Sequence, residues 1–479
     1  MKFKRIIIFY LAGLVGFSQN IMAETTPLSL SEAKQLTLEQ QLGKKIFFDE
    51  NLSSPEGLSC ASCHDIKTSL TDPTQSSVVS AGAVSGRHGT RNAPSAAYAA
   101  FAPQFHFDAD EGLYIGGQFL DGRAANLKEQ AKGPFLNANE MNNADEQSVI
   151  NKIKESNYAL LFEQVFGRGI LNDTMQAYDK MAQAIAAFEH TASFNRFTSK
   201  YDYFLTGRVV LSEQEQKGLA LFEDENKGNC AACHISKTDD GSMPLFTDFT
   251  YDNLGTPSSP EILALQGAGF VDIGLGETVG ASENGKFKVP SLRNVAKTAP
   301  YMHNGVFTDL KEVVEFYNTR DVDAKWASPE VAVNVNTDEL GDLGLTDQEV
   351  EAIVAFLRTL TDGYLFQAEA TFSVEHSVIE LPYLRTEGEN QPDKFYSVRL
   401  QQTSPSIFKI TQFVEIFDID WSMIEAMPYY SFETGMLELP KISGSDEENP
   451  NVAYTGQLKY IALDNGEMIF KLLYTKKIQ

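Results

Sequence analysis

All four cysteines of this chain fall in two copies of one frame. Cys60-Ala61-Ser62-Cys63-His64 is the first, and Cys230-Ala231-Ala232-Cys233-His234 is the second. In a C-x-x-C-H frame the two thiols add to the vinyl groups of a haem as thioethers, and the histidine that follows ligates its iron. A thioredoxin-like redox pair has no use for a trailing histidine, let alone twice. A four-cysteine zinc site has the right count, but 167 residues separate the pairs and each carries an idle histidine. The frames therefore predict two covalently bound haem c groups, on Cys60/Cys63 and Cys230/Cys233, with His64 and His234 as iron ligands. No cysteine remains for a disulfide.

The segments that must position these frames also repeat. Leu42-Gly43-Lys44-Lys45-Ile46-Phe47-Phe48 precedes the first frame, and Lys217-Gly218-Leu219-Ala220-Leu221-Phe222 precedes the second. Capping boxes Thr37-x-x-Gln40 and Ser212-x-x-Glu215 start a short helix in each case. Each half closes with another helix. Residues 173–194 carry Met181, Ile185 and Phe188 at helical spacing, and residues 346–360 carry Ile353, Phe356 and Leu357. Helix, frame, loops and closing helix, twice over, is a tandem cytochrome c layout. Residues 68–121 form a long polar, glycine-rich stretch, and loops of that length usually have a function.

The chain has 479 residues and a formal charge of −26, which argues against a nucleic-acid partner. At 43% hydrophobic and 22% charged it is an ordinary globular composition. Lys2, Lys4 and Arg5, the apolar run 6–17 and Ile21-Met22-Ala23 read as a signal peptide cleaved before Glu24. That run is short for a bilayer span, which needs about 20 apolar residues. Export to the periplasm, with no membrane span after cleavage, suits covalent haem attachment. The expected fold is mainly α, with two tandem cytochrome c-like haem domains and a smaller all-β C-terminal domain. The expected boundaries are a signal peptide at 1–23, the first cytochrome c-like domain at 24–200, the second at 201–363 and the β-rich domain at 364–479.

Further motifs appear in order: Phe47-Phe48-Asp49, Arg91-Asn92-Ala93-Pro94-Ser95, Asp121-Gly122-Arg123, Gln130, Glu140-Met141, Pro290-Ser291-Leu292-Arg293-Asn294 and Ala299-Pro300-Tyr301-Met302-His303-Asn304-Gly305. With these, residues 36–362 resemble the bacterial dihaem cytochrome c peroxidases and their MauG-type relatives. The resemblance implies that H₂O₂ reacts at the first haem, whose open face is lined by Gln130, Pro134 and Glu140. Glu140 is the acid-base candidate, because O–O heterolysis needs a group that moves a proton from one oxygen to the other. The second haem then handles electrons. Its distal ligand is a Met in ordinary peroxidases and a Tyr in the MauG type. The matching residue is Tyr317, with Met302 as the alternative. A phenolate favours ferric and higher oxidation states. The resemblance also implies one calcium ion held by Asn92 and the carbonyls of Thr298 and Pro300.

Two departures stand out. The family usually places a Trp before Asp-Gly-Arg as an inter-haem relay, and here the residue is Leu120. Phe119 and Tyr114 are the neighbouring aromatics. The loop 105–111 is also longer than in ordinary peroxidases. His88 and His106 lie in this region; His88 does not match the loop ligand of those enzymes and is expected at the surface or on a haem propionate, so the first haem is expected to be five-coordinate.

Beyond residue 362 the pattern alternates with period two, and a repeat appears at an offset of 58. Glu380-Leu381-Pro382 recurs as Glu438-Leu439-Pro440, and Pro392, Tyr396 and Leu400 recur as Pro450, Tyr454 and Leu458. Phe408-Lys409 recurs as Phe470-Lys471. This predicts a β-sheet or sandwich of two similar halves with acidic turns at 387–393 and 446–449, solvated or used to dock a partner. The leading expectation is a periplasmic dihaem peroxidase, MauG-like, that oxidises a partner protein. The alternatives are an ordinary peroxidase fed by a small cytochrome c or copper protein, and a non-catalytic electron carrier. Of the two tryptophans, Trp326 and Trp421, Trp326 reads as a packed residue or as a surface hole-hopping site.

Overall fold

The structure is a computed structural model. It describes residues 36–364 except 75, 76 and 208, and residues 370–477 except 374–376, 389–390, 417–427, 432–433, 446–451 and 465–466. The expected leader, Trp421 and the turn at 446–449 lie outside the described residues. Among the described residues no helix is long and apolar enough to cross a membrane.

The first half contains α1 (Leu38–Phe47), α2 (Cys60–Cys63), α3 (Leu127–Leu136), α4 (Glu146–Glu155), α5 (Ala159–Phe166) and α6 (Thr174–Glu189). The second contains α7 (Lys200–Leu205), α8 (Glu213–Glu223), α9 (Pro260–Gln266), α10 (Gly276–Val279), α11 (Leu310–Thr319) and α12 (Asp347–Arg358). The capping boxes at Thr37, Ser212 and Thr346 all form, so these helices start where the local sequence satisfies their first amides. α1 crosses α6 in the first half and α8 crosses α12 in the second, each at a glycine. A Cβ on Gly43 would sit 1.9 Å from the Ala184 carbonyl oxygen, and one on Gly218 would sit 1.9 Å from that of Ala352. One turn further on, Phe47 meets Phe188 edge to face at 5.6 Å, and Phe222 meets Phe356 at 5.2 Å. The two halves have separate apolar cores built around these crossings.

A buried polar knot joins the halves. Arg293 donates from Nη2 to Oδ1 of Asp202 at 2.8 Å, with both side chains almost fully buried. Its guanidinium also lies over the rings of Tyr98 and Phe197. Asp362 accepts from Tyr98 Oη and Asn294 Nδ2, at 2.8 and 2.9 Å. Two short ribbons add to this region: β1 (His106–Asp108) with β2 (Leu113–Ile115), and β3 (Tyr251–Asp252) with β4 (Phe287–Lys288).

The C-terminal part comprises β5 (Ala370–Ser373), β6 (Val378–Gly388), β7 (Gln391–Ser404), β8 (Ile407–Ile416), β9 (Tyr429–Ser431), β10 (Met436–Ser445), β11 (Val452–Asp464) and β12 (Glu467–Lys477). It is a closed barrel rather than an open sheet or sandwich, because β10 pairs with β11 as well as with β5 and β9. Closure leaves no long unpaired edge. The repeat is visible in the register. Leu381 pairs with Val398 and Leu439 with Gly456, and a bulge follows each leucine. Phe408 and Phe470, the recurring pair, are direct partners between β8 and β12. Among the described residues the two haem units are helical, and the C-terminal part is built of eight strands. The expectation of a mainly α protein is therefore corrected: the barrel supplies most of the strand, and long irregular loops fill much of the haem units.

Candidate functional site

Among the cavities of the two halves, two are lined by the cysteine-histidine frames. One of about 490 Å³ is lined by Cys60, Cys63 and His64, and one of about 330 Å³ by Cys230, Cys233 and His234. The four thiols are not in disulfides. Burial pushes Cys63 up to about 11 and Cys230 and Cys233 up to about 12. Such thiols stay protonated and do not behave as thiolate nucleophiles.

Each histidine is oriented the same way. Nδ1 of His64 lies 3.0 Å from the Leu70 carbonyl, and Nδ1 of His234 lies 2.8 Å from that of Phe246. A carbonyl only accepts, so Nδ1 carries the hydrogen and the Nε2 lone pair is left for a metal. Both acceptors sit in left-handed backbone, with φ +62° at Leu70 and +55° at Phe246. A bulky residue there costs about 1–3 kcal/mol, and the strained turn aims its carbonyl at the ring. Burial lowers both imidazoles, which favours the neutral form a metal needs. Thiols, oriented imidazole and an apolar cavity fit a haem c in each half.

The far side of the first cavity is built by α3 and the turn after it. Asn126 caps α3, whose Leu127, Ala131 and Phe135 enter the core, while Gln130 and Pro134, one turn apart, line the cavity. Glu140 lines it too, and its Oε1 accepts from Asn137 Nδ2 at 2.8 Å. Burial raises the Glu140 carboxyl, while Arg123 and the Asn137 bond pull it back. Arg123 lies 3.6 Å over the Phe119 ring and pairs with Asp121 at 2.7 Å. Among the described residues the Gln130 amide has no hydrogen-bond partner. His64 is the one histidine lining this cavity. His106 is exposed on β1, with Nδ1 2.8 Å from the Gln104 carbonyl, and neither it nor His88 lines either cavity.

The cavities share a wall. Asn92, Ala93, Pro94 and Ser95, together with Phe119 and Leu120, line both. The Leu120 carbonyl accepts from Lys288 N across the units at 2.8 Å. Phe119 is held at φ +62°. Tyr114 lies off this wall, stacked on Phe105 at 5.6 Å. Arg91 crosses between the halves, donating from Nη2 to Asp272 Oδ1 at 2.7 Å while also pairing with Asp121.

In the second cavity Tyr317, on α11, and Met302 both appear with His234. The Tyr317 hydroxyl has no hydrogen-bond partner among the described residues, and burial raises it far above a normal phenol. Asn92, Thr298 and Pro300 also come together here. Asn92 donates Nδ2 to the Val78 carbonyl at 3.0 Å. Among the described residues no donor reaches its Oδ1 or the Thr298 and Pro300 carbonyls. Trp326 is half-buried against Phe307 and Phe316, and its Nε1 donates to Thr319 Oγ1 at 2.9 Å.

Sequence reading missed two ionisable residues at these cavities. Lys288 faces the second cavity, donating Nζ to the Gly117 carbonyl at 2.6 Å, and burial brings it down to about 8. Glu189 lines the first. Its signal was an acid on the apolar face of 173–194. Neither of the left-handed acceptor carbonyls carries any sequence signal.

Comparison with known proteins agrees with this construction. The family described as di-haem cytochrome c peroxidase matches residues 38–209, and the cytochrome c family matches residues 215–361. The chain is 42% identical over 343 residues to the methylamine utilization protein MauG of Paracoccus denitrificans, covering 67% of this chain and 88% of that protein. It is 30% identical to the cytochrome c551 peroxidase of Pseudomonas aeruginosa, covering 67% and 78%. The crystal structure of the diheme peroxidase BthA from Burkholderia thailandensis superposes with a TM-score of 0.64 at 35% identity, covering 68% of this chain and 86% of that one.

Proposed function

The chain belongs to the di-haem cytochrome c peroxidase family that includes MauG, and on that premise we propose a MauG-like enzyme that uses H₂O₂ to oxidise a partner protein. It is a haem-dependent peroxidase. Haem iron, when held by His64, supplies the two-electron reduction of peroxide. The chain's own residues do the rest. Glu140 takes a proton from one peroxide oxygen and returns it to the leaving one. Gln130, with its amide unpartnered, orients the peroxide. Pro134 has no N–H and offers only an apolar ring, which keeps competing water off that face.

Tyr317 would hold the iron of the second haem together with His234. The observation that carries this reading is its hydroxyl, which lines the second cavity without a hydrogen-bond partner. A phenol hydroxyl facing an apolar cavity without a partner is free to engage a group placed there. The wall at Phe119 and Leu120 lies between the two cavities and is the proposed route for sharing oxidising equivalents. Asn92 Oδ1 and the carbonyls of Thr298 and Pro300 are the proposed calcium ligands. Residues 1–23 are the proposed export signal and the periplasm the proposed location. The −26 charge suits steering of a cationic partner.

The alternative is an ordinary peroxidase that takes electrons from a small cytochrome c or copper protein, with Met302 as the second ligand. An anaerobic assay separates the two. H₂O₂ is added to the dihaem protein with and without reduced cytochrome c while spectra are recorded. The MauG-like reading expects a persistent state more oxidised than the resting protein, across both haem spectra, with poor cytochrome oxidation. Rapid cytochrome turnover overturns it in favour of the alternative. No reaction with peroxide leaves only an electron carrier.

A further inference from the structure

The glycine crossings of the two halves use matching residues, with one asymmetry. Ala184 and Phe188 of α6 meet Gly43 as Ala352 and Phe356 of α12 meet Gly218. The residue after the phenylalanine is Leu357 in the second half, where it lines the second cavity. In the first half it is Glu189, which lines the first cavity and is 6% exposed. Its Oε2 is buried without a hydrogen-bond partner. An ionisable group thus stands where an apolar residue satisfies the same packing in the sister half.

We propose that Glu189 is the protonatable partner of the first haem, taking up a proton when that haem gains an electron and releasing it when the electron leaves. The inference rests on the first cavity holding a haem. Written for one electron, ferric haem beside a Glu189 carboxylate, one electron from the donor and one proton from water give ferrous haem beside a neutral carboxyl. One O–H bond breaks in the solvent donor, which is left as its conjugate base, and one forms at the carboxyl. The physical cause is the low dielectric of the cavity, where a nearby carboxylate favours the more positive iron and a neutral carboxyl favours the less positive one.

Few other charges compete. From α1 and α3 nothing ionisable lines the cavity. From α2 and the residue after it come Cys60, Cys63 and His64, all engaged by haem attachment and ligation. The charge of Glu189 is felt at Cys60. Arg91 is held by Asp121 and Asp272, and Arg123 by Asp121. Glu277, also on the lining, is mostly exposed. Glu140 is the other carboxyl of the cavity, and it keeps its Asn137 bond. Burial alone raises Glu189, to about 8, so its neutral form prevails near neutral pH in the absence of added positive charge.

The test is spectroelectrochemical titration of the dihaem protein across about pH 6–9, with the second haem in the same sample as reference. The first-haem redox equilibrium should shift by up to tenfold per pH unit, about 59 mV. In Glu189→Gln, and in Glu189→Leu, which copies the second half, the shift should fall below twofold per unit. A flat profile in the wild type, or an unchanged slope in either variant, overturns the proposal. A wild-type protein lacking the first haem's absorbance would instead overturn the cavity assignment beneath it.

Discussion

Replacing Glu140 by Gln keeps the shape and the cavity lining while removing the proton acceptor. General acid-base catalysis of this kind is worth ~10²–10⁴-fold, or about 3–5 kcal/mol of barrier at 1.36 kcal/mol per tenfold. The second-order rate of the peroxide reaction, followed by stopped flow at the first haem, should fall by that factor with the resting spectra unchanged. The pH profile carries a sharper test. Glu140 must be ionised to accept the first proton, so the wild-type rate rises with pH through its pKa, which burial has raised. The Asn137 bond favours the carboxylate and lowers that pKa. Removing it in Asn137→Ala must therefore move the rising limb to higher pH. A hydrogen bond to a charged group, discounted for the exposure of Asn137, is worth about 0.5–1 kcal/mol, which is about half a pH unit. A Glu140→Gln rate within threefold of wild type would falsify the assignment. So would a limb that stays put or moves down in Asn137→Ala.

Three further outcomes are expected. Tyr317→Phe should alter the low-spin ferric spectrum of the second haem and raise its potential by a sizeable part of the ~0.8 V that axial ligands span; an unchanged spectrum would hand the position to Met302. Gly218→Ala forces a Cβ against the Ala352 carbonyl and should destabilise the haem-loaded protein by about 1–3 kcal/mol or more. Its thermal midpoint should drop, whereas Gly269→Ala, with nothing within 4 Å, should leave the midpoint unmoved. Asn92→Ala should weaken calcium binding at least tenfold in calorimetric titration of chelator-treated protein, and equal affinity in the two proteins would remove Asn92 from the ligand set.

Much of this protein is local and was legible in the chain. Each haem frame is five consecutive residues, each capping box spans four, and the glycine-phenylalanine signature before each frame is one helical turn. The 58-residue offset in the C-terminal part likewise told of two similar halves, because matched side chains recur in sequence whatever sheet they join. Covalent attachment and helix capping are decided by near neighbours, so no tertiary knowledge is needed to read them.

What only the tertiary structure decided depends on residues far apart. Barrel closure follows from β10 meeting both β5 and β11, and alternation along a strand does not say which edge it finds. The shared wall puts Asn92–Ser95 and Phe119–Leu120 against both cavities, although the two frames lie far apart in sequence. Tyr317 reaches the cavity of a frame that ends at His234. The carbonyls of Leu70 and Phe246 orient the two imidazoles through left-handed backbone, and nothing about a leucine or a phenylalanine announces that conformation. Glu189 shows the same division. Helical spacing put it beside an apolar face, but only the crossing of α6 on α1 aimed it at the first cavity. A residue's chemistry is set by its type, whereas the group it meets is set by packing between elements that the chain keeps far apart.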